Sequence, residues 1–233
     1  MLPHAFKLGE LALDFLFPKW CVGCGTRGDF ICAKCTRQLA CIHGPLCPQC
    51  GRPQTSDILC PGCVSWSAAV DGIRAPFRFE GTIRQAVYDL KYHNIRALAK
   101  PLAVLLFEYL AAQSIPADVL VPVPLHSKRL KERGYNQSAL LTRELGKLAR
   151  LPVVNDYLVR VKPTSPQAKT SSVGERLRNV AGAFACSGPA FRGLSVFLID
   201  DVATSGATLN AAATALKSAG ADTVWGLTLA REI

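Results

Sequence analysis

The stretch VFLIDDVATSGATLN, residues 196–210, decides how this chain is read. Four apolar residues run into two adjacent aspartates, and the side chains then become small. The apolar run predicts a buried parallel strand ending at Ile199. That leaves Asp200 and Asp201 at its carboxyl end, where open α/β sheets bind ligands. The following GATLNAAATALKSAG predicts a helix ended by Gly220. Between strand and helix, the successive backbone N–H groups of the loop VATSGAT (Val202, Ala203, Thr204, Ser205, Gly206, Ala207, Thr208) and the helix N-terminus converge into an anion pocket. Hydroxyls of Thr204, Ser205 and Thr208 add donors, and Gly206 lets the backbone approach closely. Adjacent aspartates also suit a metal site or an acid/base pair. Directly before a phosphate cradle, however, they would repel a bare anion, so they are best placed to bind hydroxyls one sugar-length away. A ribose 5-phosphate fits both halves, whereas the Gly-x-x-x-x-Gly-Lys of a nucleoside triphosphate loop is absent.

Outward from this stretch, strand and helix patterns alternate. IRAPFRF, DVLVPVPL, YLVRV and DTVWGLTLA predict strands. TIRQAVYDLKYHNIRALAKPLAVLLFEYLAA predicts two helical stretches, VGERLRNV a short helix, and YNQSALLTRELGKLAR a helix with Leu140, Leu141, Leu145 and Leu148 inward. Short apolar strands separated by helices indicate an α/β fold with a parallel sheet flanked by helices, here over residues 67–233. KPTSPQAKTSS and the GERLRN after it lack periodicity and are rich in Ser, Thr, Pro and Lys, a composition that suits a lid.

The front of the chain is different chemistry. Nine of ten cysteines precede residue 64, and eight form Cys-x-x-Cys pairs: Cys21/Cys24, Cys32/Cys35, Cys47/Cys50 and Cys60/Cys63. Two thiolates three residues apart in a tight turn face one ion, and two such turns complete a four-cysteine zinc site. Gly25 and Gly51 after the second cysteine of two pairs suit a turn with positive φ. Sequential ligation, the first four cysteines on one zinc and the last four on another, is the simplest scheme; interleaved pairing is the alternative. Cys41 and His43 read as bystanders and Cys186 as a packed strand residue. Residues 18–66 are too few and too poor in aliphatics to build a core, so zinc must supply the folding energy of this double zinc ribbon.

Residues 1–17 form an apolar segment broken by Glu10 and Asp14, with Leu8, Leu11, Phe15 and Leu16 on one face of a short helix. It reads as neither a cleavable leader nor a membrane span, so the protein is expected to be cytoplasmic, without membrane insertion. The net charge of +10 is uneven. Residues 124–178 hold twelve basic and four acidic residues, net +8. Residues 1–70 hold six and four, a net +2 that two zinc–thiolate centres convert to −2. If the protein binds polyanions, the α/β part carries the charge.

VFLIDDVATSGAT resembles the phosphoribosyl-pyrophosphate (PRPP) signature of type I phosphoribosyltransferases, with Ala203 where that signature has a larger aliphatic residue. With VPVPLHSKRLKERGYNQ, the LKYH around Lys91 and PQAKTSSVGERLRNVAGAF, nearly the whole chain is similar to the ComF family, which includes the GntX proteins. The resemblance implies a type I phosphoribosyltransferase-like sheet in which Asp200 and Asp201 hold the ribose hydroxyls, directly or through Mg²⁺. Residues 203–208 would hold the 5′-phosphate, and Ala203 would face the structural side of the loop. The loop of Leu125, His126, Ser127, Lys128 and Arg129 would bind pyrophosphate, with Lys128, Arg129 and Arg133 neutralising it. His93 and His126 are candidate acid/base residues, and residues 72–95 the candidate hood over an acceptor. The resemblance also implies handling of single-stranded DNA during natural transformation, with only Tyr135 and Tyr157 in the basic window to stack bases. The alternative is phosphoribosyl transfer to an acceptor with release of pyrophosphate. The zinc module, with Trp20, Phe30 and Trp66, would serve as a dock for protein partners of the competence machinery.

Overall fold

A computed structural model of the chain describes residues 18–64, 66–163, 179–188 and 191–233. The helix expected over residues 1–17, the lid and most of VGERLRNV lie outside the described residues.

In chain order the elements are α1 (Ala33–Arg37), α2 (Pro61–Val64), β1 (Gly72–Arg74), β2 (Phe77–Arg78), α3 (Gly81–Tyr92) and, after a 3₁₀ turn, α4 (Ala99–Ala111). Then follow β3 (Val119–Pro122), α5 (Ser127–Arg133), α6 (Gln137–Ala149), β4 (Leu158–Arg160), β5 (Phe184–Cys186), β6 (Ser195–Ala203), α7 (Ala207–Ser218) and β7 (Thr223–Arg231). The main sheet runs β1-β7-β6-β3, with β2 continuing beside β7, and every pairing is parallel. Beyond β3, Val153 bridges Leu120 in parallel. From β3 the chain therefore moves outward one way, and from β6 through α7 to β7 the other way. The strand order reverses between β3 and β6, and that crevice is where such sheets bind ligands. β4 and β5 form a separate antiparallel pair.

Both faces of the sheet are covered, which is why its strands are apolar on both sides. Phe197 and Ile199 point into the core shared with α3, α4 and α6, through Leu90, Leu102, Leu106, Leu141 and Leu145. Val196 and Leu198 point the other way, toward Leu209, Ala212, Ala213 and Leu216 of α7. Those α7 residues recur at the spacing of one helix face. Leu148 departs from the expected inward stripe and is 39% exposed. The helix ends one residue later, and the chain turns back at Arg150 to pack Leu151 and Val153 on Gly146 instead.

β6 runs on through both aspartates to Ala203 rather than ending at Ile199. The equally long β7 supplies the ladder partners, pairing Asp200 with Thr228 and Ala203 with Arg231. Tertiary pairing here overrides the poor strand propensity of aspartate. Residues 72–92, part of the expected hood, form β1, β2 and α3 of the main body.

The ribbon repeats its geometry twice. Gly25 and Gly51 sit at φ 72° and 69°. Each donates its N–H to the first cysteine of its turn, Cys21 O and Cys47 O, both at 2.8 Å. Cys32 N and Cys60 N each donate to the sulfur of that cysteine at 3.4 Å. The few aliphatics of the module are not stranded: Ile31 and Leu39 join the core under α3 and α4. The sheet edge is capped by the module as well, with Ile73 N donating to Gln49 O and Arg78 N to Ala40 O, both at 2.8 Å. Covering an edge in this way satisfies backbone groups that would otherwise invite pairing with another chain.

Candidate functional site

The zinc ligation is sequential. Cys21, Cys24, Cys32 and Cys35 form one cluster and Cys47, Cys50, Cys60 and Cys63 another, their sulfurs all within 4.8 Å of one another. Cys24–Cys32 and Cys50–Cys60 sulfurs stand 3.6 and 3.7 Å apart. The edge of a tetrahedron with Zn–S bonds of ~2.3 Å is about 3.8 Å, so the residues fit zinc. Cys41 and His43 belong to neither cluster.

At the carboxyl end of β6 the two aspartates are held differently. Asp201 continues the alternation of Phe197 and Ile199 and so meets α3, whose Lys91 Nζ lies 2.8 Å from Asp201 Oδ2. Asp201 is 3% exposed. Burial works against the Lys91 charge, but Asp201 first and Asp200 after it outweigh burial and hold its pKa above the ordinary lysine value. Asp200 Oδ1 accepts from Ser138 Oγ at 2.7 Å and from Asp201 N at 2.9 Å. Burial, and then the neighbouring Asp201 charge, push the Asp200 carboxyl up to about 7, against the pull of Lys91 and Ser138. Ser138 is brought there by the first turn of α6, where Asn136 Oδ1 accepts from Ser138 N at 3.0 Å. Asn136 Nδ2 donates to Val123 O at 3.0 Å, tying that cap to the end of β3.

After Ala203, which is buried, the chain turns at Gly206 with φ 81° into the first turn of α7. Ser205 Oγ accepts from Ala207 N at 3.4 Å. A methyl group at Gly206 would lie 2.6 Å from Ile73 Cδ1 and 3.2 Å from Trp66 Cη2, so only glycine fits. Thr204, Ser205 and Thr208 are partly exposed.

Across the crevice, Leu125 and His126 lead into α5, and His126 Nδ1 caps it by accepting from Lys128 N at 3.3 Å. Ser127 and Lys128 are exposed. Arg129 and Arg133 line a cavity of about 560 Å³ with Lys91, Tyr92, Asn94, Glu132 and Tyr135. Lys128 is not on its wall, because α5 points it away from the side that carries Arg129 and Arg133. Arg133 donates to Gln137 Oε1 and stacks over Tyr92 at 5.3 Å. His93 Nδ1 sits 2.7 Å from Asp89 Oδ1, so both candidate histidines have local structural partners. Ser138, which holds Asp200, had no signal in the sequence beyond a place in the first turn of a helix.

The aromatic inventory also changes. Tyr135 is buried, donates its hydroxyl to Leu90 O and lies under Arg96. Tyr157 is exposed, edge-on to Phe191. Tyr88 and Tyr92 of α3, which lie outside the basic window, are 48% and 63% exposed with ring centroids 4.8 Å apart. In the ribbon, Trp20 is exposed, whereas Trp66 packs against the second cysteine cluster.

Comparison with known proteins agrees with this division of the chain. A family model, the double zinc ribbon domain, matches residues 12–64. Competence protein F of Haemophilus influenzae is 31% identical, covering 84% of this chain and 89% of that protein. Competence protein ComFC of Bacillus subtilis is 30% identical, with 86% and 84% covered. DNA utilization protein YhgH of Salmonella typhimurium is 33% identical, with 83% and 86% covered. Among solved structures the chain is similar to glutamine PRPP amidotransferase from B. subtilis, with a TM-score of 0.38 and 17% identity. That match covers 55% of this chain and 26% of the enzyme, so the chain spans about a quarter of its length. Adenine phosphoribosyltransferase from Leishmania tarentolae gives a TM-score of 0.34 at 17% identity, covering 57% of this chain and 56% of that one. The weight of the assignment lies with the full-length relatives: the chain belongs to the ComF family, a parallel α/β domain preceded by a double zinc ribbon.

Proposed function

We propose that the protein binds PRPP or a related phosphosugar at the carboxyl end of β6, together with Mg²⁺, and handles single-stranded DNA on the adjoining basic surface. The observation that carries this reading is the pair of pinned aspartates at the strand-order reversal. A glycine-turned loop lies directly behind them, and a cavity walled by Lys91, Arg129 and Arg133 lies in front. Asp200 and Asp201 reach ribose hydroxyls, residues 203–208 take the 5′-phosphate, and Arg129 and Arg133 take the pyrophosphate, with Lys128 at the exposed rim. The carboxylates suit Mg²⁺, which would neutralise pyrophosphate oxygens when bound. The relatives are competence and DNA utilization proteins, which supports a nucleic-acid role; we place it in the cytoplasm, with the zinc ribbon as a dock for competence-machinery partners. Exposed Tyr92, under Arg133, and Tyr88 against it offer bases a stacking surface next to the cations.

Calorimetry with PRPP and Mg²⁺ tests the first half. Binding should be Mg²⁺-dependent and lost in D201N; equal binding by D201N would refute the assignment. For the second half, single-strand affinity should fall steeply with salt. The K128A/R129A/R133A protein should lose about 2 units of log–log salt slope, at ~0.7 per phosphate contact. A salt-independent affinity would refute it. Phosphoribosyl transfer is the second reading, favoured by the cavity of about 560 Å³ beside Lys91, a size suited to a small acceptor. Release of pyrophosphate on adding candidate acceptors distinguishes it from binding alone.

A further inference from the structure

The cavity of Lys91, Arg129 and Arg133 has a neighbour, and a single turn of chain is shared between the two. α3 ends at Tyr92, and Asn94, at φ 57°, swings the chain into the 3₁₀ turn Arg96–Leu98 that leads to α4. Asparagine accepts that left-handed backbone more readily than most residues. Asn94 lines the first cavity, and its Oδ1 accepts from Arg96 Nε at 2.9 Å. Arg96 lines the second. Its guanidinium also lies 4.5 Å from the ring centroid of Tyr135, a residue on the wall of the first cavity. The charge of Arg96 thus stands between two concave surfaces.

The second surface is a groove of about 560 Å³ where the first cysteine module meets α4 and α6. Its apolar lining includes Phe30 and Ile31 of the module and Pro101 and Val104 of α4. Phe30, two residues before Cys32, is fixed by Val22 N, which donates to its carbonyl oxygen at 3.0 Å. It is half-buried against the main core. The charged lining is mainly cationic. Arg96, Lys100 and Arg143 are exposed there, and Lys19 stands on the side of the module. Of the two acids, Glu144 is already held by Lys147 Nζ at 2.8 Å and by Arg143 Nε at 3.2 Å, which leaves Asp29. Apolar contact beside cations is what an unpaired nucleic-acid strand requires: its bases need faces to lie on and its phosphates need charge. An acidic peptide would meet the same cations, but continuity with the first cavity favours a polymer long enough to occupy both.

We propose that a single strand bound at the first cavity continues across the Asn94–Arg96 turn into this groove, so that the nucleic-acid site is one track shared by the α/β domain and the zinc ribbon. Arg96, Lys100 and Arg143 take successive phosphates, and Phe30 gives a base its ring as Tyr92 does on the other side of the turn. Arg96, Lys100 and Phe30 lie outside the basic window of residues 124–178, so a charge count along the chain does not bring them together. The ribbon, negative once its thiolates hold zinc, supplies an apolar wall and leaves most of the charge to α4 and α6. The track rests on the nucleic-acid half of the function proposed above and extends it to surface which that reading leaves unassigned.

Fluorescence anisotropy of a labelled oligothymidine of about 20 nucleotides, with the full-length zinc-loaded protein, compares two sets of substitutions. K100A/R143A removes exposed side chains and leaves Glu144 its Lys147 partner, so its melting point should match the parent's. It should bind the oligomer about tenfold more weakly and lose about 1.4 units of log–log salt slope, at ~0.7 per phosphate contact. Parental affinity and slope in K100A/R143A, with K128A/R129A/R133A impaired, would overturn the track and leave the function above standing. Parental behaviour in both would defeat both. Loss in K100A/R143A alone would put the strand in the groove without the cavity and break the continuity on which the proposal depends. A second measurement needs no variant. An oligomer carrying 5-iodouracil, which crosslinks to aromatic rings under ultraviolet light, should label both Tyr92 and Phe30 in the parent, read by peptide mass spectrometry; labelling of Tyr92 without Phe30 would overturn the track. Polyglutamate should displace the oligomer about tenfold less effectively than unlabelled oligomer does. Equal displacement would make the groove a dock for acidic protein segments and overturn the proposal.

Discussion

Replacing Asp200 with asparagine should make the free protein more stable at alkaline pH while removing its ligand binding. The carboxyl is raised from an ordinary 3.8 to about 7, first by burial and then by Asp201. A raised acid keeps its proton in the folded chain where the unfolded chain has released it. The stability it contributes is therefore fully present below about pH 4 and is lost as pH rises through 7. Between pH 5.5 and 7 the loss corresponds to about 1.5 units at ~1.4 kcal/mol each, or about 2 kcal/mol. The residue keeps some solvent-accessible surface, which screens part of this, so 1 to 2 kcal/mol is the working figure. Asparagine retains an oxygen for Ser138 and for Asp201 N but has no charge to desolvate. Scanning calorimetry of zinc-loaded parent and D200N at pH 5.5 and 8 should show the D200N midpoint gaining on the parent's between the two values, the parent having already lost part of this contribution by pH 5.5. At the higher pH D200N should melt a few degrees above the parent, at roughly 2–4 °C per kcal/mol. For the parent, binding of PRPP with Mg²⁺ should tighten as pH rises through 7, because the ligand requires the ionised form. Parallel stability profiles for the two proteins, or a D200N midpoint below the parent at pH 8, would refute the burial argument.

Three further outcomes follow from the geometry. K91M leaves the buried Asp201 without its cation and should cost about 2–3 kcal/mol in denaturant unfolding, discounted for the partial exposure of Lys91; a change below 0.5 kcal/mol would mean that the pair is solvent-screened. G206A puts a methyl group against Ile73 at φ 81° and should cost about 1–3 kcal/mol together with phosphate affinity; an undiminished melting point would contradict the close approach. Removing both zinc ions with a chelator should strip amide protection from Ile73 and Arg78, whose N–H groups donate to Gln49 O and Ala40 O of the ribbon. Retained protection there would show that the ribbon holds its place without metal.

Much of this molecule was legible along the chain because the chemistry involved is local. A Cys-x-x-Cys turn converges two sulfurs whatever surrounds it, and a strand running into small residues and a helix makes an anion pocket from its own backbone. The parallel α/β class and the eight zinc ligands follow from such short-range patterns. What the chain alone left open depends on which strands become neighbours. Lys91 finds Asp201 across 110 positions because α3 packs on the face that Phe197 and Ile199 share. Ser138 reaches Asp200 only because β3 and β6 are adjacent at the reversal of strand order. Tyr92 meets Arg133 of α5 from a helix outside the basic window, while Tyr135, inside that window, is buried. The extent of β6 was misjudged for the same reason: its last residues are strand because β7 is there to pair with them. Trp66, a candidate docking residue along the chain, packs on the second cysteine cluster and over Gly206 at once, a contact that only the tertiary structure makes. Spacing determines what a short segment can chelate or cradle; only the packing of distant segments determines which charges are buried together.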